Sequence, residues 1–242
     1  MANFVLVHGA WHGGWIWKRV ARRLRDEGHD VYTPTMTGLG ERKHLLNAAI
    51  NLSTHIQDIV NVIRFEKLSD VVLCGHSYAG MIISGVADQI SERIASLFYL
   101  DAFVPEDGNS IFTLSPESIQ LSRIKDAGRY GGLTVPPIPA EVFRVNEQDR
   151  AWIDEMCTPH PLATMIEAIR LQGNHLKVKS KTYVLASGWE SGPFKQFYER
   201  IRKDSGWITH AIESGGHCAM LDQPDDLSNL LRDAALDVTR QG

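Results

Sequence analysis

Short apolar runs alternate along this chain with longer segments in which apolar side chains return every three or four positions. The runs 4–7, 31–33, 71–75, 94–100, 182–186 and 207–212 have the length of buried strands, while 15–27, 54–68, 79–90, 193–203 and 224–238 carry helical spacing. Strands buried on both faces have no polar side to show, so near-continuous apolar runs point to a parallel sheet covered by helices. The pattern predicts an α/β fold, a mostly parallel sheet of about six strands built from six β-α units, with Ser53 capping the second helix.

Between 105 and about 179 the rhythm fails. No strong strand occurs there, Pro136-Pro137-Ile138-Pro139 and Pro159-His160-Pro161 punctuate the stretch, and only 153–156 and 162–171 show helical spacing. The reading is a core of 1–104 and 180–242 with 105–179 inserted as a small helical cap, over the carboxyl edge where ligands bind in such sheets. A plain surface excursion is the alternative.

Composition narrows the partners. The chain has 242 residues, 43% of them hydrophobic, enough for one sizeable core. A net charge of −4 without a basic stripe removes the electrostatic footprint of a nucleic-acid partner and leaves a small molecule. No apolar run approaches the roughly 20 residues that span a bilayer, so no membrane partner is expected. Met1-Ala2-Asn3 leads straight into an apolar strand without the features of a signal peptide, and three cysteines without a C-x-x-C pair disfavour disulfides and zinc. A reduced, cytoplasmic protein is expected.

The chemistry is written in three places. Val71-Val72-Leu73-Cys74-Gly75-His76-Ser77-Tyr78-Ala79-Gly80 is an apolar strand, a tight turn with a central serine and a small-residue helix start, the pattern of a nucleophile elbow. Ala79 replaces the second glycine of G-x-S-x-G at the cost of one methyl group, and Gly80 follows to relieve it. Taken alone, Gly-x-Ser-x-Ala is equally a strand-to-helix turn with a capping serine. After the first strand, His8-Gly9-Ala10-Trp11-His12-Gly13-Gly14-Trp15 is glycine-rich and opens onto a helix, so its backbone N–H groups are candidates for an oxyanion hole, assigned to Ala10 and Tyr78. Phosphate binding by this loop lacks both G-x-G-x-x-G and G-K-[ST]. Near the C-terminus, Glu213-Ser214-Gly215-Gly216-His217-Cys218 follows the last strand, and a histidine there can accept the serine proton. The order of serine first and histidine last fits this class of fold.

With these motifs in place the chain resembles the α/β-hydrolase family, and within it the plant hydroxynitrile lyases, methyl-ketone and salicylate methylesterases and their bacterial esterase relatives. The likeness rests on Val5 through Trp15, on Gly75 through Gly80, on Pro159-His160-Pro161-Leu162 and on Gly216-His217-Cys218-Ala219-Met220. The resemblance implies a compact cap forming a narrow apolar pocket above Ser77. In the lyases a threonine stands at the position of Gly9 and a lysine just after the histidine, where this chain has Cys218, so ester cleavage with water is the implied activity.

The same resemblance leaves the third member of a triad open. The family usually places its aspartate after the strand 182–186, where this chain reads Ser187-Gly188-Trp189-Glu190-Ser191-Gly192-Pro193, without one. Asp101, at the end of the strand 94–100, resembles the haloalkane dehalogenases in position, and its alternative is a carboxylate tying down the loop. Asp101 is the acid expected, and Glu190 is the runner-up, at least as readable as a solvated loop acid.

The expected chemistry is acyl transfer at Ser77 with His217 as base and no cofactor or metal, since none of the ten histidines shows H-E-x-x-H spacing. His8 and His12 read as structural, His12 also as lining the pocket. Trp11, Phe103 and Trp152, with Tyr78, are expected to make that pocket aromatic, although core packing is the commoner fate of such residues. A planar aromatic ester or carbamate is the expected substrate, and the bacterial relatives the chain resembles include hydrolases of pyrethroid esters and of the benzimidazole carbamate carbendazim. A cyanohydrin-cleaving lyase and a ligand-binding protein with little turnover are the alternatives.

Overall fold

The protein is described from a computed structural model, in which residues 1–189 and 193–241 are placed, the last five by their backbone alone. Its elements in chain order are β1 (Asn3–Val7), α1 (Lys18–Asp26), β2 (Asp30–Tyr32), α2 (Leu52–Phe65), β3 (Val71–His76), α3 (Ala79–Ile90) and β4 (Ile94–Leu100). Then follow α4 (Glu117–Gly128), β5 (Thr134–Val135), α5 (Glu147–Met156), β6 (His160–Pro161) and α6 (Ala163–Ile166). The chain closes with β7 (Ser180–Ala186), α7 (Phe194–Ile201), β8 (Ile208–Ile212), α8 (Ala219–Asp222) and α9 (Pro224–Gln241).

Six strands form one sheet in the order β2-β1-β3-β4-β7-β8, every neighbour parallel. This is the α/β-hydrolase fold. All six expected strands are present, and the central β3 is buried at every position, which is why it reads as an unbroken apolar run. Five long helices flank the sheet, one fewer than six β-α units require, because β4 is followed by the excursion 101–179 instead of a covering helix. The order turns back at β1, so β2 lies to one side and β3 to the other. The loops leaving β1, β3 and β4 therefore meet at one crevice along the carboxyl edge.

Two expectations about helices change. Asn51, not Ser53, caps α2: its side chain accepts from the Thr54 N–H at 3.0 Å while Thr54 Oγ1 accepts from the Asn51 N–H, a reciprocal capping box. Ser53 is already inside the helix, and its N–H and hydroxyl both donate to the Glu167 carboxylate across the chain. In the excursion, the segment expected to be helical over 162–171 makes only the single turn α6, and 153–156 is the end of the longer α5. The helix α4 and the two-residue ribbon β5-β6 were not foreseen.

Candidate active site

Ser77 follows β3 with φ of +56°, in the left-handed region that a non-glycine residue enters only when its surroundings hold it there. The elbow is tight on both sides. A Cβ on Gly75 would lie 2.7 Å from the Ala79 carbonyl oxygen, and one on Gly80 would lie 1.9 Å from that of Phe103. Gly80 therefore serves the approach of the chain after β4, which is also tied to the elbow by the Phe103 N–H donating to the Ser77 carbonyl at 3.2 Å.

Asp101 and Trp11 share the backbone strain, with φ of +42° and +65°. Asp101 is fully buried, and His217 Nδ1 donates to its Oδ2 at 2.6 Å. Its Oδ1 accepts from the Ala186 N–H at 3.3 Å. The last residue of β7, beside the loop where the family usually places its acid, thus supplies a backbone donor to the acid that follows β4. Glu190, the competing candidate, lies outside the described residues.

Burial lowers the His217 imidazole to about 3, because a charged ring there loses its hydration. Burial also raises the Asp101 carboxyl, opposed by the Ala186 N–H. The 2.6 Å contact holds the proton on the Nδ1 side of the ring, leaving Nε2 as the acceptor. His217 is enclosed by aromatic rings: Trp189 at 4.4 Å, Phe194 stacked at 5.1 Å and Phe143 at 5.2 Å between centroids. Its main chain is pinned as well, its N–H donating to the Phe143 carbonyl at 2.9 Å and its carbonyl accepting from His76 Nε2 at 2.9 Å.

Ser77 and His217 line one cavity of about 730 Å³ together with Ala10, Trp11, Tyr78 and Phe103. Among the described residues, Ser77 Oγ makes no hydrogen bond, and the N–H groups of Ala10 and Tyr78 have no acceptor. Two donors and a hydroxyl are thus left free at one cavity wall. His12 and Trp152, expected in the pocket, do not line it. His12 packs edge-on against Trp15 beneath the loop, and Trp152 meets the same ring from α5, so both are drawn away by Trp15.

The excursion holds the loop after β1 from the opposite side. His160 Nδ1 accepts from the Trp11 N–H at 3.3 Å, the Trp11 carbonyl accepts from the Thr158 N–H at 2.9 Å, and the indole N–H donates to the Val135 carbonyl at 3.1 Å. Tyr78 is anchored through its hydroxyl, 3.0 Å from His55 Nδ1. Sequence reasoning did not single out Phe143, Trp189, Phe194, His160 or Arg123 as site residues. Pro159-His160-Pro161 was a signal for the fourth of these. Among the described residues no cluster of three or more histidine, cysteine or acidic side chains is arranged to hold a metal, and no helix is long and apolar enough to cross a membrane.

The family model for the alpha/beta hydrolase family matches residues 4–230. The chain is similar to a carbendazim hydrolyzing esterase of Nocardioides sp. (strain SG-4G), 45% identical over 240 residues that cover 96% of this chain and 98% of that protein. Salicylic acid-binding protein 2 of Nicotiana tabacum is 26% identical over 258 residues, covering 96% of each chain. Among solved structures, an extracellular alpha/beta-hydrolase of a Paenibacillus species, described as sharing structural and functional homology with the tobacco protein, superposes with a TM-score of 0.84. It is 25% identical and covers 97% of this chain and 99% of its own. Sheet, elbow and end-to-end similarity agree: the chain belongs to the alpha/beta hydrolase family and is a hydrolytic enzyme.

Proposed function

We propose that this enzyme cleaves a small aromatic carboxylic or carbamic ester by acyl transfer through Ser77, with His217 as base and Asp101 as the acid of the triad. The observation that carries the reading is the buried 2.6 Å contact between His217 Nδ1 and Asp101 Oδ2, on a ring that opens into the same cavity as Ser77. His217 Nε2 takes the Ser77 proton as Oγ attacks the ester carbonyl, and the new oxyanion is held by the N–H groups of Ala10 and Tyr78. Collapse breaks the bond to the leaving alcohol, which receives that proton from His217. Water, deprotonated by the same nitrogen, then attacks the acyl-enzyme, and the proton returns to Ser77 Oγ as the acid departs. Asp101 offsets the charge of the imidazolium in both halves. Each removed oxyanion donor would cost roughly 3–4 kcal/mol of the transition state.

The aromatic lining and the likeness to a carbendazim hydrolyzing esterase support the substrate class. Residues 105–179 act in this reading as the cap, supplying Arg123, Phe143 and Met165 to the cavity wall. Two observations weigh against the lyase alternative. A Cβ at position 9 would lie 2.9 Å from His76 Nδ1 and 3.0 Å from Ser77 Cβ, so threonine does not fit without movement. Burial raises the Cys218 thiol well above its ordinary value, so no charge stands after His217. The three cysteines are free, in keeping with a reducing, cytoplasmic setting. The test is release of p-nitrophenol from short acyl and carbamoyl esters by wild type, Ser77→Ala, Asp101→Asn and Glu190→Gln. Loss in the first two variants with Glu190→Gln near wild type is expected; collapse in Glu190→Gln with an active Asp101→Asn would transfer the acid role to Glu190.

A further inference from the structure

Arg123 lies on α4 and reaches into the wall of the cavity that holds Ser77 and His217. Its guanidinium carbon sits 5.1 Å from the centre of the Trp11 ring, next to the residue that bears the free Ala10 N–H. Among the described residues it makes no hydrogen bond and no ion pair, and no aspartate or glutamate lines the cavity. The acid that acts on it, Asp126 one turn along α4, is engaged with Arg129 at 3.7 Å. Burial depresses its pKa, yet a guanidinium stays charged, so the cavity contains a half-buried cation with all its donors unspent. Holding such a charge out of water without an acidic partner is unfavourable, and stacking on an aromatic face recovers only part of that. Arginine also differs from the neutral polar wall residues, among them Thr113, Ser115, Ser118, Gln120 and Gln196, in presenting two parallel N–H bonds that match a planar pair of oxygens.

We propose that Arg123 is the specificity residue of this cavity and receives a carboxylate on the aromatic portion of the ester, with the ring of that ester lying along Trp11. The inference rests on the acyl-transfer reading of the cavity. It makes the preferred substrate a monoester of an aromatic diacid, one acid group esterified for attack by Ser77 and the other ionised for Arg123. Binding changes no bond; it places the carbonyl and adds affinity in KM.

The test compares two esters of nearly equal shape, monomethyl terephthalate and methyl 4-methylbenzoate, by methanol release from wild type, Arg123→Gln and Arg123→Lys. Wild type should prefer the anionic ester by roughly 30-fold in kcat/KM, chiefly through KM. Arg123→Gln should bring the ratio close to one, and Arg123→Lys should keep part of it. An undiminished ratio in Arg123→Gln, or no wild-type preference, overturns the proposal while leaving the hydrolase reading in place. Calorimetric binding of monomethyl terephthalate to Ser77→Ala, with and without Arg123→Gln, reads the same contact without turnover. A Kd weakened by at least about tenfold supports the proposal, and equal affinities overturn it. Failure of wild type to cleave either ester would instead fall on the acyl-transfer reading.

Discussion

Of the six non-glycine residues with positive φ among the described residues, three, Trp11, Ser77 and Asp101, lie in the loops that follow β1, β3 and β4 side by side. Half of the backbone strain of this kind thus sits around the proposed site, and its energy is drawn from the sheet beneath. Ser77→Gly should therefore raise Tm by about 2–4 °C, the effect of relieving about 1 kcal/mol, while abolishing ester hydrolysis. A lowered Tm in calorimetry would show that the elbow is not strained. Asp101→Asn should leave the fold intact and reduce kcat by up to about 10⁴, because the amide cannot hold the Nδ1 proton or offset the charged ring. Steady-state kinetics with a circular dichroism control reads both parts. Ser77, His217 and Asp101 were all legible as candidates, since a fixed turn, a chain order and a strand end each leave a mark on sequence. Sequence placed Asp101 ahead of Glu190 but could not decide between them, because the choice depends on which carboxylate a ring from a distant loop can reach.

At the scale of elements, the sheet and its covering helices were readable to within a few residues because each buries an apolar run or stripe. The excursion was not. In α4 only Ala127 is buried, and Ile119, Leu121 and Ile124 are exposed, so the helix shows no core-facing period. The ribbon β5-β6 contains Pro161, a residue that argues against a strand when neighbours are unknown. Yet these pieces hold the loop after β1. His160→Ala should lower kcat on the order of 10²-fold by freeing the Trp11 N–H and shifting Ala10, with a smaller change in KM. His160→Asn, which restores an acceptor, should recover part of kcat; a loss in KM alone would assign His160 to substrate contact instead. The excursion is fixed to the core by Arg19, whose two guanidinium nitrogens bond the buried Asp149 of α5 at 2.6 and 2.7 Å. Removing that acid strips the guanidinium of its ion-pair partner and leaves it the Leu221 carbonyl alone, and Asp149→Ala should cost about 2 kcal/mol in urea unfolding.

Across the whole molecule, burial keeps an unusual set of histidines neutral. His8 is lowered to about 3 and His55 to about 4, and His12, His76 and His160 are lowered well below the ordinary value, in each case chiefly by desolvation. In three of them the hydrogen bonds require the uncharged ring: His8 donates to the Gly9 carbonyl while accepting from the Met36 N–H, His55 Nε2 donates to the Thr37 carbonyl while Nδ1 accepts from the Tyr78 hydroxyl, and His160 donates to Thr164 while accepting from Trp11. Unfolded, each titrates near 6.5 and so binds more protons than the native ring between 6.5 and the lowered value. Stability is therefore fully present above 6.5 and falls as pH drops toward 4, by roughly 1 kcal/mol per pH unit for each ring. Urea midpoints at pH 7, 6 and 5 should decrease steeply; a flat profile would mean that these rings are protonated when folded. The central claim is that Ser77 is the nucleophile of an acyl-transfer site, and intact-protein mass spectrometry after treatment with a fluorophosphonate tests it most directly. One phosphonyl group, located at Ser77, absent in Ser77→Ala and slow to form in His217→Ala, is the predicted result; ester hydrolysis by a protein whose Ser77 stays unmodified would contradict it.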